Sequence, residues 1–274
     1  MIGNKFVQHL KNAKKGLTIG MVHVPSLPGT PNNVLSVQSI LDHVRKEVTI
    51  YEKAKVDGII LENMFDLPYL HGSKIGPEIT ATMAACAMVT RDVFGSKPRP
   101  FLGIQILAGA NKEALSVAHA ADFDFIRAEA FVYSHVADEG IMNACAGELL
   151  RFRKHIGSNV AVLTDIKKKH CSHAITSDLS TAECVEAAEF FGADGVIITG
   201  SATGKEADAS EIEKIKKVSK LPIFIGSGVT STNLNRYKHA SGFIVGSYFK
   251  TGGHWSGQLE LAKIAQFVNK VKGN

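Results

Sequence analysis

The sequence predicts a single (β/α)8 barrel over residues 1–274, and three features of the chain support that fold class. Short apolar runs alternate eight times with amphipathic segments, which is the order expected of repeated strand–helix units. Each run is almost continuously apolar, as is typical of strands in a parallel sheet that is buried on both faces. No Pro-rich or Ser-rich linker interrupts the alternation, so one closed barrel is favoured over two domains.

The eight predicted strands are short and rich in Val, Ile, Leu and Phe. In chain order they are Leu17–Val22, Gly58–Leu61, Phe101–Ile106, Phe123–Ala128, Val160–Thr164, Gly195–Thr199, Ile223–Ile225 and Phe243–Val245. A doubly wound open sheet is the alternative fold. Such a sheet usually carries a Gly-x-Gly-x-x-Gly turn after an early strand, and this sequence lacks that turn.

Helices are predicted between the strands, where apolar residues recur every three to four positions. Pro77 marks a helix start, and Asn111 and Ser210 are predicted N-caps. Residues 1–16 precede the first strand, and we expect them to form a helix that caps the barrel floor. The alternative is a targeting segment, because this stretch contains lysines but no acidic residue.

The composition argues against several kinds of partner. The net charge is only +5, whereas a nucleic-acid binder usually has a stronger and clustered basic excess. No apolar run is long enough to predict a membrane span. The four cysteines form no Cys-x-x-Cys pair, which favours a reducing compartment. We therefore expect no nucleic acid and no membrane as partner and a cytoplasmic location, with the mitochondrion and a homo-oligomer as open alternatives.

Polar residues and glycines follow the apolar runs, at the positions that point into the active site of a (β/α)8 barrel. In chain order they are His23, Glu62, Asn63, Gln105, Arg127, Glu129, Asp165, Lys167, Lys169, His170, Thr199, Gly200, Thr203, Gly226, Ser227, Gly228, Gly246 and Ser247. Because the carboxyl ends of parallel strands meet at one end of a barrel, we expect these residues to surround a single cavity.

A phosphate site is predicted at the loops after the seventh and eighth strands, where such barrels commonly bind phosphate. Gly226-Ser227-Gly228 and Gly246-Ser247 lie at these two places. Glycine lets the main chain approach an anion, and backbone N–H groups with a serine hydroxyl supply hydrogen-bond donors. A helix expected after Val229 would direct its positive end toward the anion. The alternative is that these glycines only form tight turns.

Asp165 is the strongest acid–base candidate, because its carboxylate follows a buried strand directly. A structural ion pair is the alternative. Arg127 or a lysine would stabilise developing negative charge. The remaining predicted catalytic residues are Glu62, Glu129, Lys167, His170 and His23. The predicted substrate-binding residues are Asn63, Gln105, Thr199, Gly200 and Thr203.

A divalent cation is an open alternative as cofactor, and no other cofactor is indicated. His23, Glu62, Asp165 and His170 are residue types that ligate such ions. They follow separate strands, however, and the sequence has no His-x-His or His-Glu-x-x-His motif that would join two ligands. We therefore predict no specific metal site.

The chain resembles the BtpA/SgcQ family from about Leu17 to Val268. The segments that carry the resemblance are Ile19–His23 with Leu27–Pro31, Asp57–Asn63, Gly76–Glu78, Phe125–Glu129, Thr164–His170, Thr199-Gly200 with Thr203-Gly204, and Gly226–Val229. The resemblance implies a ribulose-phosphate-binding barrel, in agreement with the phosphate site predicted from the two glycine loops. It also implies an association with photosystem I biogenesis, and it implies no reaction.

Together these observations predict an enzyme that acts on a small phosphorylated metabolite, either a sugar phosphate or a nucleoside-derived phosphate. Lyase, isomerase or hydrolase chemistry would suit the acid–base residues. The alternative is a non-catalytic assembly or stability factor on a barrel scaffold. Against that alternative, a scaffold has no reason to gather unpaired charges in one pocket, where they cost stability.

Overall fold

The computed structural model describes residues 4–13, 15–200 and 206–273, and its central element is a closed barrel of parallel strands. The strands are β1 (Leu17–His23), β2 (Gly58–Glu62), β3 (Phe101–Gln105), β4 (Phe125–Ala128), β5 (His135–Ala137), β6 (Gly140–Met142), β7 (Ala161–Ile166), β8 (Cys171–Ser172), β9 (Gly195–Ile198), β10 (Ile223–Ile225) and β11 (Gly242–Val245). The barrel consists of β1, β2, β3, β4, β7, β9, β10 and β11 in that order, and β11 pairs with β1. The predicted (β/α)8 fold is confirmed.

Helices surround the barrel. They are α1 (Lys5–Asn12), α2 (Val37–Ala54), α3 (Pro77–Phe94), α4 (Asn111–Ala120), α5 (Ala146–His155), α6 (Thr181–Phe190), α7 (Ala209–Val218) and α8 (Leu261–Lys272). Pro77 begins α3 as predicted, but both predicted N-caps are wrong. Ala110 precedes α4 because the Asn111 side chain bonds the main chain of Glu129 instead. Asp208 caps α7, where its Oδ1 accepts a hydrogen bond from the Ser210 N–H at 2.8 Å.

The segment after β10 differs from the prediction, because no helix follows Val229. A 3-10 turn of three residues, Leu234–Arg236, takes its place. The Asn233 side chain holds the loop before it, donating to the Gly228 carbonyl and accepting from the Thr230 N–H, both at 2.8 Å. Asparagine and threonine favour such loops over helices because their side chains bond nearby backbone groups. The predicted helix dipole therefore does not contribute to the anion site.

Side chains alternate between the inside and the outside of the barrel along each strand, as strand geometry requires. Ile19, Met21, Ile60 and Leu163 pack inside the barrel. Their outward neighbours pack against the helices. One more step of this alternation brings polar residues to the carboxyl end. The strand register places His23 beside Glu62, and Glu62 beside Gln105.

Aromatic rings fill the opposite, amino-terminal end of the barrel. Phe6 of α1 is fully buried there, with its ring centroid 4.6 Å from that of Phe125, 5.0 Å from Phe101 and 6.1 Å from Phe224. Asn4 caps this helix and also donates to the main chain of Asp124 at 2.8 Å. Helix α1 is therefore packed onto the barrel by both apolar and polar contacts.

A small antiparallel sheet lies outside the barrel, and the sequence did not predict it. Strands β5 and β6 form a hairpin after β4, and β8 joins the hairpin from the segment after β7. The hairpin turn consists of Asp138 and Glu139, which face the carboxyl end of the barrel. In the described part of the chain, no helix combines the length and the apolar character needed to cross a membrane.

Candidate functional site

A cavity of about 590 Å³ lies at the carboxyl ends of the barrel strands. It brings together most of the residues that the sequence singled out. These are His23, Glu62, Gln105, Arg127, Glu129, Asp165, Lys169, His170, Gly226, Ser227, Gly228, Gly246 and Ser247.

Four predicted residues do not line the cavity. Asn63 is buried beside it, accepting from the Leu107 N–H and donating to Asp66, both at 2.7 Å. Thr199 and Gly200 also lie outside the lining. Lys167, the fourth, donates to the Leu179 carbonyl instead. Thr203, a fifth predicted residue, falls outside the described residues.

Arg127 and Asp165 form a buried, bidentate ion pair at the wall of the cavity. The Arg127 Nε and Nη2 atoms each lie 3.0 Å from a different oxygen of the Asp165 carboxylate. The Asp165 side chain is only 1% exposed. Burial works against the charge of Arg127, but Asp165 and Glu62 outweigh it and raise the arginine pKa further. Asp165 therefore orients a permanent cation, which is the ion-pair alternative of the sequence analysis.

A second ion pair joins Lys168 to Glu129, with 2.8 Å between Nζ and Oε1. Burial opposes the charge of the lysine, but the Glu129 carboxylate outweighs burial and raises the Lys168 pKa. Together the two pairs connect the ends of β4 and β7.

Glu62 and Lys169 face the same cavity without such a partner. Among the described residues, neither side chain has a hydrogen bond. The nearest basic side chain to Glu62 is that of His23, whose Nε2 lies 4.0 Å from the carboxyl. Burial raises the pKa of Glu62, opposed by Arg127 and Lys169. Burial lowers the pKa of Lys169, and the nearby Arg127 lowers it further. Both shifts favour the neutral forms, which can donate a proton from Glu62 and accept one at Lys169.

His23 is neutral in this site. Burial and the charge of Lys250 lower its pKa to about 3. Its Nδ1 lies 3.0 Å from the Trp255 carbonyl, which can only accept, so Nδ1 carries the proton. Nε2 is then an acceptor, 4.0 Å from the Glu62 carboxyl, and the two groups do not form an ion pair.

Two further acceptors in the lining are unsatisfied. Gln105 Oε1 and Glu129 Oε2 are buried and have no hydrogen-bond partner among the described residues. Leaving a buried acceptor unpaired costs about 1–3 kcal/mol. A ligand with hydroxyl groups could supply the missing donors.

The glycine loops after β10 and β11 form another part of the wall. Gly228 has a φ of 65°, a left-handed conformation that favours glycine. A Cβ on Gly246 would lie 3.2 Å from the His23 ring, so a larger residue would crowd that ring. Ser231 and Tyr248, whose hydroxyls are 2.9 Å apart, connect the two loops. The loops thus line the cavity with glycines and small side chains.

Sequence reasoning did not single out several lining residues. These are Met21, Met64, Leu67, Tyr69, Leu107, Asp138, Glu139, Thr230, Ile244, Val245, Tyr248, Gly253 and Trp255. Strand alternation points both Lys167 and Lys169 inward. Lys167 has a φ of 44° and lies outside the lining, whereas Lys168 and Lys169 line the cavity. Trp255 is the single tryptophan of the chain, and its place in a loop after the eighth barrel strand was a usable signal.

The predicted candidates for a divalent cation do not assemble into a site. Within the described ranges, no group of three or more His, Cys, Asp or Glu residues is arranged to hold a metal ion. Asp165 is instead occupied by Arg127.

The sequence and the fold are similar to those of known proteins. The model of the BtpA family matches residues 14–273. An uncharacterized mitochondrial protein of Caenorhabditis elegans is 48% identical over 99% of this chain and 98% of its own length. The photosystem I biogenesis protein BtpA of Synechocystis is 29% identical, covering 92% of this chain and 87% of its own.

Among solved structures, an orotidine 5'-monophosphate decarboxylase from Methanocaldococcus jannaschii superposes with a TM-score of 0.54 at 13% identity. The match covers 93% of this chain and 98% of that one. At this identity the likeness is one of fold. It agrees with the (β/α)8 barrel that the sequence predicted.

Proposed function

This chain belongs to the BtpA family, and from that premise we propose that it is an enzyme that acts on a small phosphorylated metabolite. The observation that carries the proposal is the composition of the cavity wall. The glycine loops after β10 and β11, the two ion pairs, and the unpaired side chains of Glu62 and Lys169 all line the same cavity. A scaffold gains nothing from buried polar groups without hydrogen-bond partners, whereas a ligand can satisfy them.

The phosphate belongs, in this proposal, at the loops Gly226–Thr230 and Gly246-Ser247. Short side chains leave room there for an anion, and backbone N–H groups can donate to its oxygens. The proposal does not need a helix terminus. The substrate of the decarboxylase with the same fold carries a 5'-monophosphate by name, which is consistent with phosphate recognition on this barrel.

The remainder of the substrate would contact the walls near β2, β3 and β4. Gln105 Oε1 and Glu129 Oε2 need donors, and hydroxyl groups of a sugar would provide them. Trp255 and Tyr69 add ring surface on the same cavity. A sugar phosphate fits this wall best, and a nucleoside-derived phosphate is the second choice.

Glu62 replaces Asp165 as our candidate for proton transfer. Asp165 is held by two hydrogen bonds from Arg127 and therefore positions that cation. Glu62 is buried, faces the cavity and has a raised pKa, which suits a group that both donates and accepts protons. Arg127 would stabilise negative charge that develops on the substrate. Lyase, isomerase or hydrolase chemistry remains the proposed class.

Thermal unfolding with ribose 5-phosphate, inorganic phosphate and ribose tests the proposal. A ligand that binds only the folded state raises the melting temperature. We expect a rise with both phosphates, and a much smaller one in Gly228→Val. Each lost hydrogen bond to a charged group is worth about 1.5–3 kcal/mol, so affinity should fall roughly tenfold or more.

Gly157→Val is the matched control for this experiment. Gly157 has a φ of 66°, like the 65° of Gly228, but follows α5 in open space. Valine therefore strains both backbones in the same way, and only the change at Gly228 alters the cavity. Equal ligand-induced shifts in the two variants, or no shift in the wild type, would contradict the phosphate site.

An assembly factor is the second candidate, and the name of the Synechocystis relative favours it. The double variant Glu62→Gln with Arg127→Met removes charge from the cavity. Full activity of this variant in a complementation assay would support the assembly factor. Loss of activity with an intact fold would support the enzyme.

The name of the Caenorhabditis elegans relative supports the mitochondrial alternative for location. Residues 1–16 are the proposed targeting segment, and because their helix α1 packs onto the barrel, the segment would have to stay on the protein after import. A fusion of these residues to a fluorescent protein should then enter mitochondria. A fusion that stays in the cytoplasm would favour the cytoplasmic location.

A further inference from the structure

We propose that Lys169 is a covalent catalyst whose amine adds to the carbonyl carbon of a phosphorylated aldehyde or ketone and forms an imine. The inference rests on the proposed function and narrows its substrate class from phosphorylated metabolites to phosphorylated carbonyl compounds. It also favours lyase and isomerase chemistry over hydrolysis.

The position of Lys169 distinguishes it from the two lysines before it. Lys167 donates to the Leu179 carbonyl, away from the cavity. Lys168 is tied to Glu129 at 2.8 Å. Lys169 lines the cavity and, among the described residues, has neither an ion pair nor a hydrogen bond. Of these three adjacent lysines, only Lys169 has an amine that is free to meet a substrate.

The surroundings of Lys169 favour the neutral amine, which is the nucleophilic form. Burial disfavours the ammonium ion, and the fixed positive charge of Arg127 adds repulsion. Glu62 and Asp165 oppose these effects. The net effect of all these groups still lowers the pKa of Lys169. Burial also raises the pKa of Glu62, which reduces the negative charge it presents to the lysine.

The proposed step balances without any further reactant. The Lys169 nitrogen bonds to the carbonyl carbon, and a proton passes from nitrogen to the carbonyl oxygen, which gives a carbinolamine. The protonated Glu62 carboxyl then gives its proton to the carbinolamine hydroxyl, and the C–O bond breaks to release water. A protonated imine and the Glu62 carboxylate remain. The imine draws electrons from the neighbouring carbon, which eases loss of a proton or of a carbon fragment there, and water later reverses the addition.

The competing interpretation is that Lys169 stays an ammonium ion and binds an anionic group of the substrate. Both interpretations predict weaker binding when the lysine is lost. Only the imine predicts a covalent bond that borohydride reagents can trap. The test therefore measures covalent labelling at Lys169.

The first measurement needs no knowledge of the substrate. The wild-type protein is treated with formaldehyde and sodium cyanoborohydride at pH 7, and methylation of each lysine is followed by peptide mapping over time. We expect Lys169 to react earlier than Lys168, because burial and Arg127 lower the pKa of Lys169 and its amine has no ion-pair partner among the described residues, whereas Lys168 is paired with Glu129. Slower methylation of Lys169 than of Lys168 would overturn the proposal.

The second measurement uses ribose 5-phosphate, ribulose 5-phosphate and dihydroxyacetone phosphate with sodium cyanoborohydride, and ribose as the unphosphorylated control. We expect an adduct on Lys169 with at least one phosphorylated compound and none with ribose. Lys169→Arg keeps the charge and should abolish the adduct. Lys167→Arg, whose side chain points away from the cavity, should retain it.

Failure of this proposal and failure of the proposed function give different results. A phosphate-induced rise in melting temperature without any adduct on Lys169 overturns the imine and leaves the phosphate site intact. Absence of both overturns both. An adduct that persists in Lys169→Arg belongs to another lysine and also overturns the proposal.

Discussion

The two ends of the barrel use charged residues in different ways. At the amino-terminal end, an aspartate precedes each of β2, β4 and β9. Asp57, Asp124 and Asp194 each accept a hydrogen bond from an N–H of a neighbouring strand, at 2.9, 2.8 and 2.9 Å. Each carboxylate also lies close to a cation, and the pairs are Asp57–Lys272 at 3.1 Å, Asp124–Arg99 at 2.5 Å and Asp194–Arg153 at 2.7 Å.

At the carboxyl end, several buried polar groups have no partner within the protein. Two ion pairs are complete, but Glu62, Lys169, Gln105 Oε1 and Glu129 Oε2 still lack hydrogen-bond partners among the described residues. Polar groups that are paired within the protein are compatible with a stable fold. Buried polar groups without a partner cost stability unless a ligand supplies that partner. The amino-terminal end of the barrel therefore has a structural role, and the carboxyl end has the proposed binding role. Substitutions at the two ends should therefore have different consequences.

The largest expected effect comes from Phe6→Ala, which removes the ring that fills the amino-terminal end. Truncation of a buried phenylalanine costs about 3–5 kcal/mol of unfolding free energy. Because Phe6 lies far from the cavity along the barrel axis, the phosphate-induced rise in melting temperature should remain. Urea unfolding measures the loss of unfolding free energy, and thermal unfolding measures the phosphate-induced rise in melting temperature. Loss of that rise in the folded variant would contradict the purely structural role of the amino-terminal end.

Arg127→Met should be about as destabilising, by about 3–5 kcal/mol, because it leaves the buried Asp165 carboxylate without a partner. The double variant Arg127→Met with Asp165→Leu removes both charges. We expect its unfolding free energy to return to the wild-type value or to rise about 1 kcal/mol above it. Its response to ribose 5-phosphate should stay reduced. A double variant that is stable and binds normally would show that the pair is only structural.

Asp124→Asn should have an intermediate effect. The amide can still accept from the Leu102 N–H, but the ion pair with Arg99 is lost. A hydrogen bond to a charged group contributes about 1.5–3 kcal/mol, and we expect a loss at the lower end of that range. Ligand binding should not change. A change in affinity larger than the change in stability would contradict the structural role of this end.

Glu62→Gln should have the smallest effect on stability, and its sign should depend on pH. Burial raises the pKa of Glu62 above its usual 4.5. The carboxyl therefore stabilises the fold fully below about pH 4.5, and this contribution is lost as pH rises through the folded-state pKa. We expect the variant to melt higher than wild type at pH 8 but not at pH 4, while turnover is lost at both. A variant that melts lower at pH 8 would contradict the raised pKa.

The fold and the barrel-facing part of the site could be predicted because they depend on local patterns. Alternation along each strand is a property of the backbone, so His23, Glu62 and Gln105 follow from the apolar runs before them. The same alternation includes Asp165, Lys167 and Lys169, and it is wrong for Lys167. Which of the lysines after β7 reach the cavity could not be predicted, because Lys167 and His170 have positive φ values that strand alternation does not foresee.

Loops account for the other failures. The loop after β10 was predicted to lead into a helix, because most strands of such barrels do so. The contacts of Asn233 with Gly228 and Thr230 join residues within the loop and hold it in a different form. The β5–β6 hairpin pairs with β8, which lies on a different loop, and such pairing leaves no periodic signal in the sequence.

The most direct test of the difference between the two ends is a crystal structure of the protein with bound ribose 5-phosphate. We predict that the phosphate oxygens accept hydrogen bonds of about 2.7–3.2 Å from main-chain N–H groups of the loops after β10 and β11, other than those of Gly226 and Thr230, which already bond Ile198 and Asn233. The sugar hydroxyls should approach Gln105 and Glu129. A phosphate bound at the amino-terminal end, or one in the cavity turned toward Asp138 and Glu139, would contradict the account.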